Sequence, residues 1–323
     1  MAKRLTTSRA LALTIAAALL PTTFAIVATP ATAASPLGPA RFATVLMDAD
    51  SGEVLYEEQP TAIRHPASIT KVMTLYLAFN ALDAGTLRMD DRVPISWHAA
   101  GQAPSKLGLR SGQSISVSDA IGVVAVKSAN DIAVALAEKI GGSEANFARM
   151  MNQQARSLGM RQTNFVNASG LPDPAHFTSA RDIATLSAAL LRNHRQYYGN
   201  FSALSYSYGK LRMANHNHLL GNYVGLDGIK TGFTVDSGFT LTASAERNGR
   251  RLIAVVLGAP TGWSRDRDIT RLLDSGFTAL QIRAQGGQPD MTALLASSGF
   301  ALNRSERPIP AMMLNPVQQG DAD

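Results

Sequence analysis

The order of strand and helix signals is the feature that most constrains the fold of this 323-residue chain. From Arg41 to Glu58, apolar and polar residues alternate around Asp50-Ser51-Gly52, which predicts a β-hairpin near the beginning. Two further runs, at residues 239–246 and 251–257, flank Asn248-Gly249, the strongest short signal for a hairpin turn. Strands at both ends of a chain commonly share one antiparallel sheet, and we expect that arrangement here.

Helical periodicity occupies the middle of the chain, between the two hairpin signals. Serine precedes aspartate by three residues at two of the helix starts, Ser116 with Asp119 and Ser179 with Asp182, which is typical of a capped N-terminus. The five predicted helices span residues 68–82, 117–126, 131–140, 144–158 and 180–191. This order predicts an α+β fold, in which an antiparallel sheet of N- and C-terminal strands packs with helices and carries an inserted helical subdomain.

The first 33 residues carry the signals of an export sequence. Three basic residues precede an apolar run at residues 10–20, and Ala31-Thr32-Ala33 fits a small-x-small cleavage site. An uncleaved membrane anchor is the alternative, but Pro21 interrupts a run that is shorter than the ~20 residues of a membrane span. We therefore expect residues 1–33 to be a cleaved signal peptide and the mature protein to be periplasmic or secreted.

The remainder of the chain divides into a linker, one large domain and a tail. Residues 34–40 contain two prolines and are expected to be the linker, and residues 41–285 are expected to form the one large domain. In residues 286–323, Gly, Pro, Gln and Asp collect around scattered apolar positions, which predicts a weakly ordered C-terminal tail. A short helix around residues 291–295 fits within it, but its amphipathicity is too brief to indicate a stable membrane anchor.

Composition excludes several classes of function. The chain has no cysteine, so it can form neither disulfides nor a cysteine zinc site, and thiolate catalysis is impossible. Loss of residues 1–33, which hold three basic and no acidic residues, lowers the formal net charge from +6 to +3. That charge is too small to indicate a nucleic-acid partner. His216 and His218 lack a third ligand at metal-binding spacing, and neither a metal nor another cofactor is expected.

A serine and a lysine at helical spacing form the first candidate catalytic pair. Ser68-Ile69-Thr70-Lys71 places the hydroxyl and the amine three residues apart at a predicted helix start, where both face one side. Serine is a weak nucleophile unless a neighbouring base takes its proton. A neutral lysine can do so if its pKa falls from ~10.4 towards ~7, which burial and nearby cations can bring about. The spacing alone is a weak signal, because Ser207 and Lys210 repeat it away from any helix start.

Two further triplets contain groups suited to a substrate-binding cleft. Ser128-Ala129-Asn130 lies in a turn between two predicted helices and can direct its side chains into a cleft, although simple helix capping would also explain it. Lys230-Thr231-Gly232 lies on a predicted strand, where the cation and the hydroxyl suit a carboxylate and the glycine permits close backbone approach. The alternative for this triplet is an exposed lysine on an edge strand.

The three triplets occur together in one order, which makes independent coincidence improbable. Serine-x-x-lysine, serine-x-asparagine and lysine-threonine-glycine form the signature of penicillin-binding proteins and class A β-lactamases. Over residues 41–283 the sequence closely resembles the low-molecular-mass penicillin-binding proteins of the D-alanyl-D-alanine carboxypeptidase type, serine peptidase family S11. Residues 64–74, 167–174 and 225–234 carry the resemblance beyond the triplets.

The resemblance implies a β-lactamase/transpeptidase-like fold and a D-alanyl-D-alanine carboxypeptidase that trims peptidoglycan stem peptides and is inhibited by β-lactams. Ser68 would be the acylated nucleophile, Lys71 its general base, and Ser128 a relay that passes a proton towards the leaving D-alanine. The backbone amides of Ser68 and Phe233 would form the oxyanion hole. The implied substrate-binding residues are Asn130, Lys230, Thr231, Gly232 and Arg265, with Arg267 as a weaker candidate. For both arginines the alternative is a solvated helix start.

Three other functions stay open at this point. Some relatives without a membrane anchor are D,D-endopeptidases, and the segment after the predicted catalytic domain is shorter than the β-rich domain and anchor of many relatives. A class A β-lactamase needs a glutamate that activates the deacylating water, but no glutamate occurs from Met160 to Ala180. A non-catalytic peptidoglycan-binding protein would keep the cleft as a docking site without using its chemistry.

Overall fold

The computed structural model describes residues 41–303. The predicted signal peptide, the predicted linker and residues 304–323 of the predicted tail lie outside the described residues. The strands in the described part are β1 (Ala43–Asp48), β2 (Val54–Glu58), β3 (Arg92–Pro94), β4 (Ser114–Ser116), β5 (Ser205–Tyr208), β6 (Leu211–Ala214), β7 (Leu226–Thr234), β8 (Gly238–Arg247) and β9 (Arg250–Ala259). Its helices are α1 (Thr70–Asp83), α2 (Trp97–Ala100), α3 (Val117–Val126), α4 (Asn130–Gly141), α5 (Glu144–Ser157), α6 (Ala180–Asn193), α7 (Gly199–Ser202), α8 (Gly262–Ala284) and α9 (Met291–Ser297). Single 3₁₀ turns occupy Ala67–Ile69 and Arg195–Tyr197.

One antiparallel sheet of five strands, in the order β2-β1-β9-β8-β7, joins the two ends of the domain. β1 pairs with β9 along its whole length, so the N- and C-terminal strands share the sheet as predicted. The β8–β9 turn places Asn248 and Gly249 at φ angles of 51° and 72°, the left-handed region that a two-residue hairpin turn requires. Both predicted hairpins are therefore confirmed, and β7 lies at an edge of the sheet.

The helical block inserted between the hairpins also follows the sequence pattern. The five predicted helices are confirmed as α1 and α3 to α6, and α3 has the predicted bounds. Ser116 and Ser179 cap α3 and α6, since their hydroxyls accept hydrogen bonds from the backbone N–H groups of Asp119 and Asp182. These caps fix where the helices begin.

The helix α8 is the main element that the sequence pattern underestimates. The sequence indicates a helix start near Arg265 but not how far the helix extends. The helix α8 begins at Gly262 and is 23 residues long. A Cβ on Gly276 would lie 2.7 Å from Leu252 Cδ1 and 2.9 Å from Leu46 Cδ2, so the helix packs directly on the sheet. Glycine lowers the expectation of a helix because it costs ~1 kcal/mol relative to alanine, yet here it permits close packing.

Strand β9 separates two apolar layers. Ile253, Val255 and Leu257 belong to the core shared with the helical block. Leu252, Ala254 and Val256 belong to the core under α8 and α9. Alternate residues of a strand point to opposite faces, so the sheet is covered on both sides and provides a fixed support for β7.

The beginning of the predicted tail is folded. Leu295 on α9 and Phe300 are buried, and the Phe300 ring lies 6.2 Å from that of Phe42 and 5.8 Å from that of Tyr56. The predicted short helix is confirmed, but weak order is wrong for residues 286–303, because these apolar side chains complete the layer beside α8. Within the described range, no helix combines the length and the apolar character needed to cross a membrane.

Candidate active site

Ser68 and Lys71 meet at the start of α1. Ser68 lies in the 3₁₀ turn directly before the helix, and the first helical turn brings Lys71 Nζ to 2.9 Å from Ser68 Oγ. The Lys71 side chain is fully buried. Ser207 and Lys210 have the same spacing, but Ser207 lies on β5 and Lys210 in the turn towards β6. The helix start therefore explains why Ser68 and Lys71 are in contact, whereas Ser207 and Lys210 share only the same spacing in sequence.

Three oxygen atoms surround the Lys71 amine. Nζ donates to Asn130 Oδ1 at 2.7 Å and to the Ser169 carbonyl at 2.6 Å, besides its contact with Ser68. Carbonyl oxygens accept hydrogen bonds and cannot donate them, so a neutral amine must direct its two N–H bonds at these two acceptors. Its lone pair then faces the Ser68 hydroxyl, which is the orientation in which an amine takes a proton.

The electrostatic surroundings favour a neutral amine at this position. Burial lowers the pKa of Lys71 well below its ordinary value, and the positive charge of Lys230 lowers it further. The carboxylate of Asp131 acts in the opposite direction and raises that pKa. Lys71 can therefore act as a base as well as a cation.

The Ser128-Ala129-Asn130 turn forms one wall of the cleft. Ser128 adopts a φ of 64°, an uncommon left-handed conformation for serine. Its buried Oγ has no hydrogen-bond partner among the described residues. Asn130 Nδ2 donates to the Ala103 carbonyl at 2.8 Å, which directs Oδ1 at Lys71. A buried hydroxyl without a partner is available to a bound ligand.

Strand β7 runs beside the nucleophile on the other side. Lys230, Thr231 and Gly232 lie within it, and all of these except the glycine carry buried side chains. A Cβ on Gly232 would lie 2.9 Å from the backbone nitrogen of Ser68, so the strand passes directly beside the serine. The next residue, Phe233, is partly exposed. The strand thus lies at an edge of the sheet and directly against the nucleophile.

Arg265 on α8 adds a second cation near Lys230. The residue is buried, and its Nε donates to Asp266 Oδ1 at 2.9 Å. Burial lowers the pKa of Lys230 to about 7, with the positive charge of Arg265 as the second cause. The alternative of a solvated helix start is therefore wrong for Arg265. Arg267 lies instead over the exposed ring of Trp263, 4.5 Å from its centroid.

Similarity to known proteins identifies the family. The family described as D-alanyl-D-alanine carboxypeptidase, peptidase S11, matches residues 31–261. This chain belongs to that family. A D-alanyl-D-alanine carboxypeptidase of Bacillus subtilis (strain 168), DacF, is 38% identical over 243 residues, which cover 72% of this chain and 61% of that protein. The S11 peptidase chain spans 60–61% of the length of the first curated relatives it matches.

Solved structures share the fold of this S11 family member. Penicillin binding protein 5 from Haemophilus influenzae aligns with a TM-score of 0.71 and 38% identity, covering 73% of this chain and 70% of that chain. Penicillin-Binding Protein D2 from Listeria monocytogenes, solved in the ampicillin-bound form, aligns with a TM-score of 0.65 and 33% identity, covering 75% of this chain and 98% of that chain. The predicted β-lactamase/transpeptidase-like α+β fold is confirmed.

Some groups of the S11 site were not found by reasoning about side chains. The turn at residues 167–170 supplies the Ser169 carbonyl, and a main-chain acceptor leaves no mark on residue identity. A Cβ on Gly170, at φ 82°, would lie 1.8 Å from the Ala67 carbonyl oxygen, so only glycine lets this turn pack against the nucleophile. The resemblance over residues 167–174 is the signal that could have located the turn.

His176 makes a hydrogen bond to Thr70, the first residue of α1. Its Nδ1 accepts from the Val166 N–H at 3.2 Å, so Nε2 carries the hydrogen that is donated to Thr70 Oγ1 at 2.8 Å. Burial lowers the pKa of His176 to about 4, which keeps the ring neutral at ordinary pH. Within residues 41–303, no group of three or more histidine, aspartate or glutamate side chains is placed to hold a metal ion.

Proposed function

We propose that this chain is a serine-type D-alanyl-D-alanine carboxypeptidase that removes the terminal D-alanine from peptidoglycan stem peptides. The observation that carries the proposal is the buried Lys71 amine, 2.9 Å from Ser68 Oγ, with its N–H bonds directed at two carbonyl oxygens. This arrangement supplies a base for the hydroxyl without any cofactor. The relatives named as D-alanyl-D-alanine carboxypeptidases support the same reaction class.

Substrate binding uses the cations of the cleft. Burial lowers the pKa of Lys230, and the nearby charge of Arg265 lowers it further. The two cations form a site for the terminal carboxylate, with the Thr231 hydroxyl beside them. Gly232 leaves room for the substrate carbonyl between the backbone amides of Ser68 and Phe233, which act as the oxyanion hole. Asn130 holds the substrate amide from the opposite wall.

Acylation begins when Lys71 removes the proton from Ser68 Oγ. The oxygen attacks the carbonyl carbon of the penultimate D-alanine, and the tetrahedral oxyanion forms. The C–N bond then breaks, and the leaving amine receives the proton from Lys71 through the Ser128 hydroxyl. Deacylation follows the reverse order, because Lys71 deprotonates a water that attacks the ester and returns the proton to Ser68.

β-Lactams are the proposed inhibitors of this site. Their strained amide and carboxylate match the same oxyanion and cation positions, and the ampicillin-bound relative supports this choice. The buried Ser128 hydroxyl has no hydrogen-bond partner within residues 41–303, which is consistent with a proton relay that acts once a substrate nitrogen is bound. We also propose that residues 1–33 direct export and that the folded domain, residues 41–303, acts on peptidoglycan outside the cytoplasm.

The decisive experiment combines product release with mapping of the adduct. Free D-alanine is measured from a peptide that ends in D-alanyl-D-alanine, and penicillin-treated protein is digested and analysed by mass spectrometry. We expect release and a penicillin adduct on Ser68 in the wild-type chain, and neither in Ser68→Ala. Ser207→Ala is the matched control, because that serine has the same spacing to a lysine but lies on β5.

Each alternative function predicts another result in the same experiment. Equal release from wild type and Ser68→Ala, or an adduct on another serine, would refute the mechanism. Faster cleavage of a cross-linked peptide dimer than of the linear peptide would favour the D,D-endopeptidase. Rapid turnover of benzylpenicillin would favour the β-lactamase, and binding without any release would favour the docking protein.

A further inference from the structure

Glu144, the first residue of α5, links the turn at residues 167–170 to α2. Its Oε1 accepts a hydrogen bond from the backbone N–H of Ala168 at 2.9 Å. Its Oε2 lies 2.7 Å from Nε2 of His98 on α2. The Glu144 side chain is 15% exposed, so the carboxylate lies between these partners and away from bulk solvent. None of the three sequence triplets contains this residue.

The backbone group that Glu144 holds is one residue from the acceptor of the Lys71 amine. The Ala168 carbonyl accepts from Thr74 Oγ1 at 2.7 Å, and the Ser169 carbonyl accepts from Lys71 Nζ at 2.6 Å. Glu144 and Thr74 therefore tie this turn to α5 and α1 at a single residue. These two ties, together with the packing of Gly170 against Ala67, set the position of the Ser169 carbonyl.

Bonds inside the turn cannot replace that tie. Asn167 Oδ1 accepts from the N–H groups of Ser169 and Gly170 at 3.2 Å and 2.7 Å, but these contacts lie within the turn and move with it. A shift of the Ser169 carbonyl would leave one N–H of the Lys71 amine without its fixed acceptor. The amine could then rotate, and its lone pair would no longer be held towards Ser68.

We propose that Glu144 is a positioning residue for the catalytic lysine, acting through Ala168 and the Ser169 carbonyl. The inference rests on the proposed function, because its effect is exerted through Lys71. Both carboxylate oxygens already face N–H donors or a ring nitrogen, which sets Glu144 apart from a glutamate that holds a reactive water. The role is therefore geometric, and it does not depend on the negative charge.

The test compares Glu144→Gln with Glu144→Asp. Glutamine loses the charge but keeps an oxygen that can accept from Ala168, whereas aspartate keeps the charge but is one methylene too short to reach it. Loss of one well-aligned hydrogen bond corresponds to roughly a tenfold change in rate. We expect the second-order rate of acylation by penicillin to fall roughly tenfold in the aspartate variant and to stay within about twofold of wild type in the glutamine variant.

Glu138→Ala is the matched control. Glu138 accepts from Ser96 Oγ at 3.0 Å, and Ser96 caps α2, so this variant removes a glutamate contact of α2 without touching the turn at 167–170. Its acylation rate should match wild type. In steady-state release of D-alanine, the aspartate variant should lose kcat with little change in KM, because the carboxylate site at Lys230 and Arg265 is unaffected.

The results distinguish this inference from the proposed function. If wild type forms no penicillin adduct and releases no D-alanine, the function itself fails. If wild type is active and the aspartate variant acylates as fast as wild type, the positioning role is wrong. If the glutamine variant is as slow as the aspartate variant, the carboxylate charge is needed as well as its reach, and the claim that the role does not depend on charge is refuted. Normal acylation with blocked deacylation in the glutamine variant would make Glu144 a base for water and would also overturn it.

Discussion

Replacement of Gly232 by alanine tests whether β7 must lie directly against the nucleophile. An added Cβ would be 2.9 Å from the Ser68 nitrogen, 2.7 Å from Thr240 Oγ1 and 3.0 Å from Ala67 Cβ. Ordinary van der Waals contact begins near 3.4 Å. The Thr240 hydroxyl can rotate away, but the Ser68 nitrogen is backbone, so the strand itself must move by ~0.5 Å to relieve the contact.

That displacement acts on catalysis more than on stability. Overpacking of this kind typically costs ~1–3 kcal/mol, which a folded domain with a core on both sides of its sheet can tolerate. The same shift separates the backbone amides of Ser68 and Phe233, the proposed oxyanion donors. Loss of one such donor typically costs ~10²–10³ in rate, so we expect Gly232→Ala to acylate ~10²-fold more slowly while it remains folded.

The assay pairs stopped-flow acylation by a fluorescent penicillin with urea unfolding of the same protein. Gly199→Ala is the control, because no atom of residues 41–303 lies within 4 Å of a Cβ at Gly199 and its backbone needs no left-handed conformation. That variant should match wild type in both measurements. If Gly232→Ala acylates within about threefold of wild type, the close approach of β7 has no part in catalysis and the proposed oxyanion geometry is wrong.

Two further changes probe the charges of the cleft. The rate of acylation should fall at low pH as Lys71 becomes protonated below its lowered pKa, and kcat/KM should fall above about 7 as Lys230 loses the proton that makes it a carboxylate partner. Arg265→Ala removes a positive charge that lowers the pKa of Lys230, so the alkaline limb of the pH profile should move to higher pH. KM should rise, because the carboxylate loses one of its two cations. An unmoved limb would contradict the assignment of that limb to Lys230. Asp131→Ala leaves the backbone N–H groups of Leu107 and Gly108 without their acceptor, which should cost ~1–3 kcal/mol in urea unfolding. It also removes the charge that raises the pKa of Lys71, so the acid limb should move to lower pH, and a shift to higher pH would refute the electrostatic account.

Local physics explains why most of the fold could be predicted. Asn248-Gly249 fits a left-handed two-residue turn in any context, and Ser116 and Ser179 can cap a helix with their own hydroxyls. The helix α8 and the folded segment after it depend on partners far away in sequence. Gly276 and Phe300 become informative only when the sheet beneath them is known.

The same distinction applies to the site, where some groups can be recognised from residue identity and others cannot. Ser68, Lys71 and Asn130 are chosen from motifs, and the structure brings their side chains into direct contact. The Ser169 carbonyl completes the surroundings of the amine, but a carbonyl belongs to every residue and gives no compositional signal. Glu144 was missed for a related reason, since its partner is the backbone N–H of Ala168 and not a side chain of a motif.

The cations of the cleft lower the pKa of Lys71 and Lys230 because their positive charges repel. Burial lowers the pKa of both lysines, and the charge of Lys230 lowers that of Lys71 further, as the charge of Arg265 does for Lys230. Asp131 offsets part of this for Lys71, but the contact of Lys230 Nζ with the Thr231 carbonyl at 3.3 Å brings no negative charge. A bound carboxylate would supply the missing negative charge beside Lys230 and Arg265, which favours the charged form of Lys230. Burial and the concentration of positive charge thus lower the pKa of the base, Lys71, and the positive charge also favours binding of an anionic chain end.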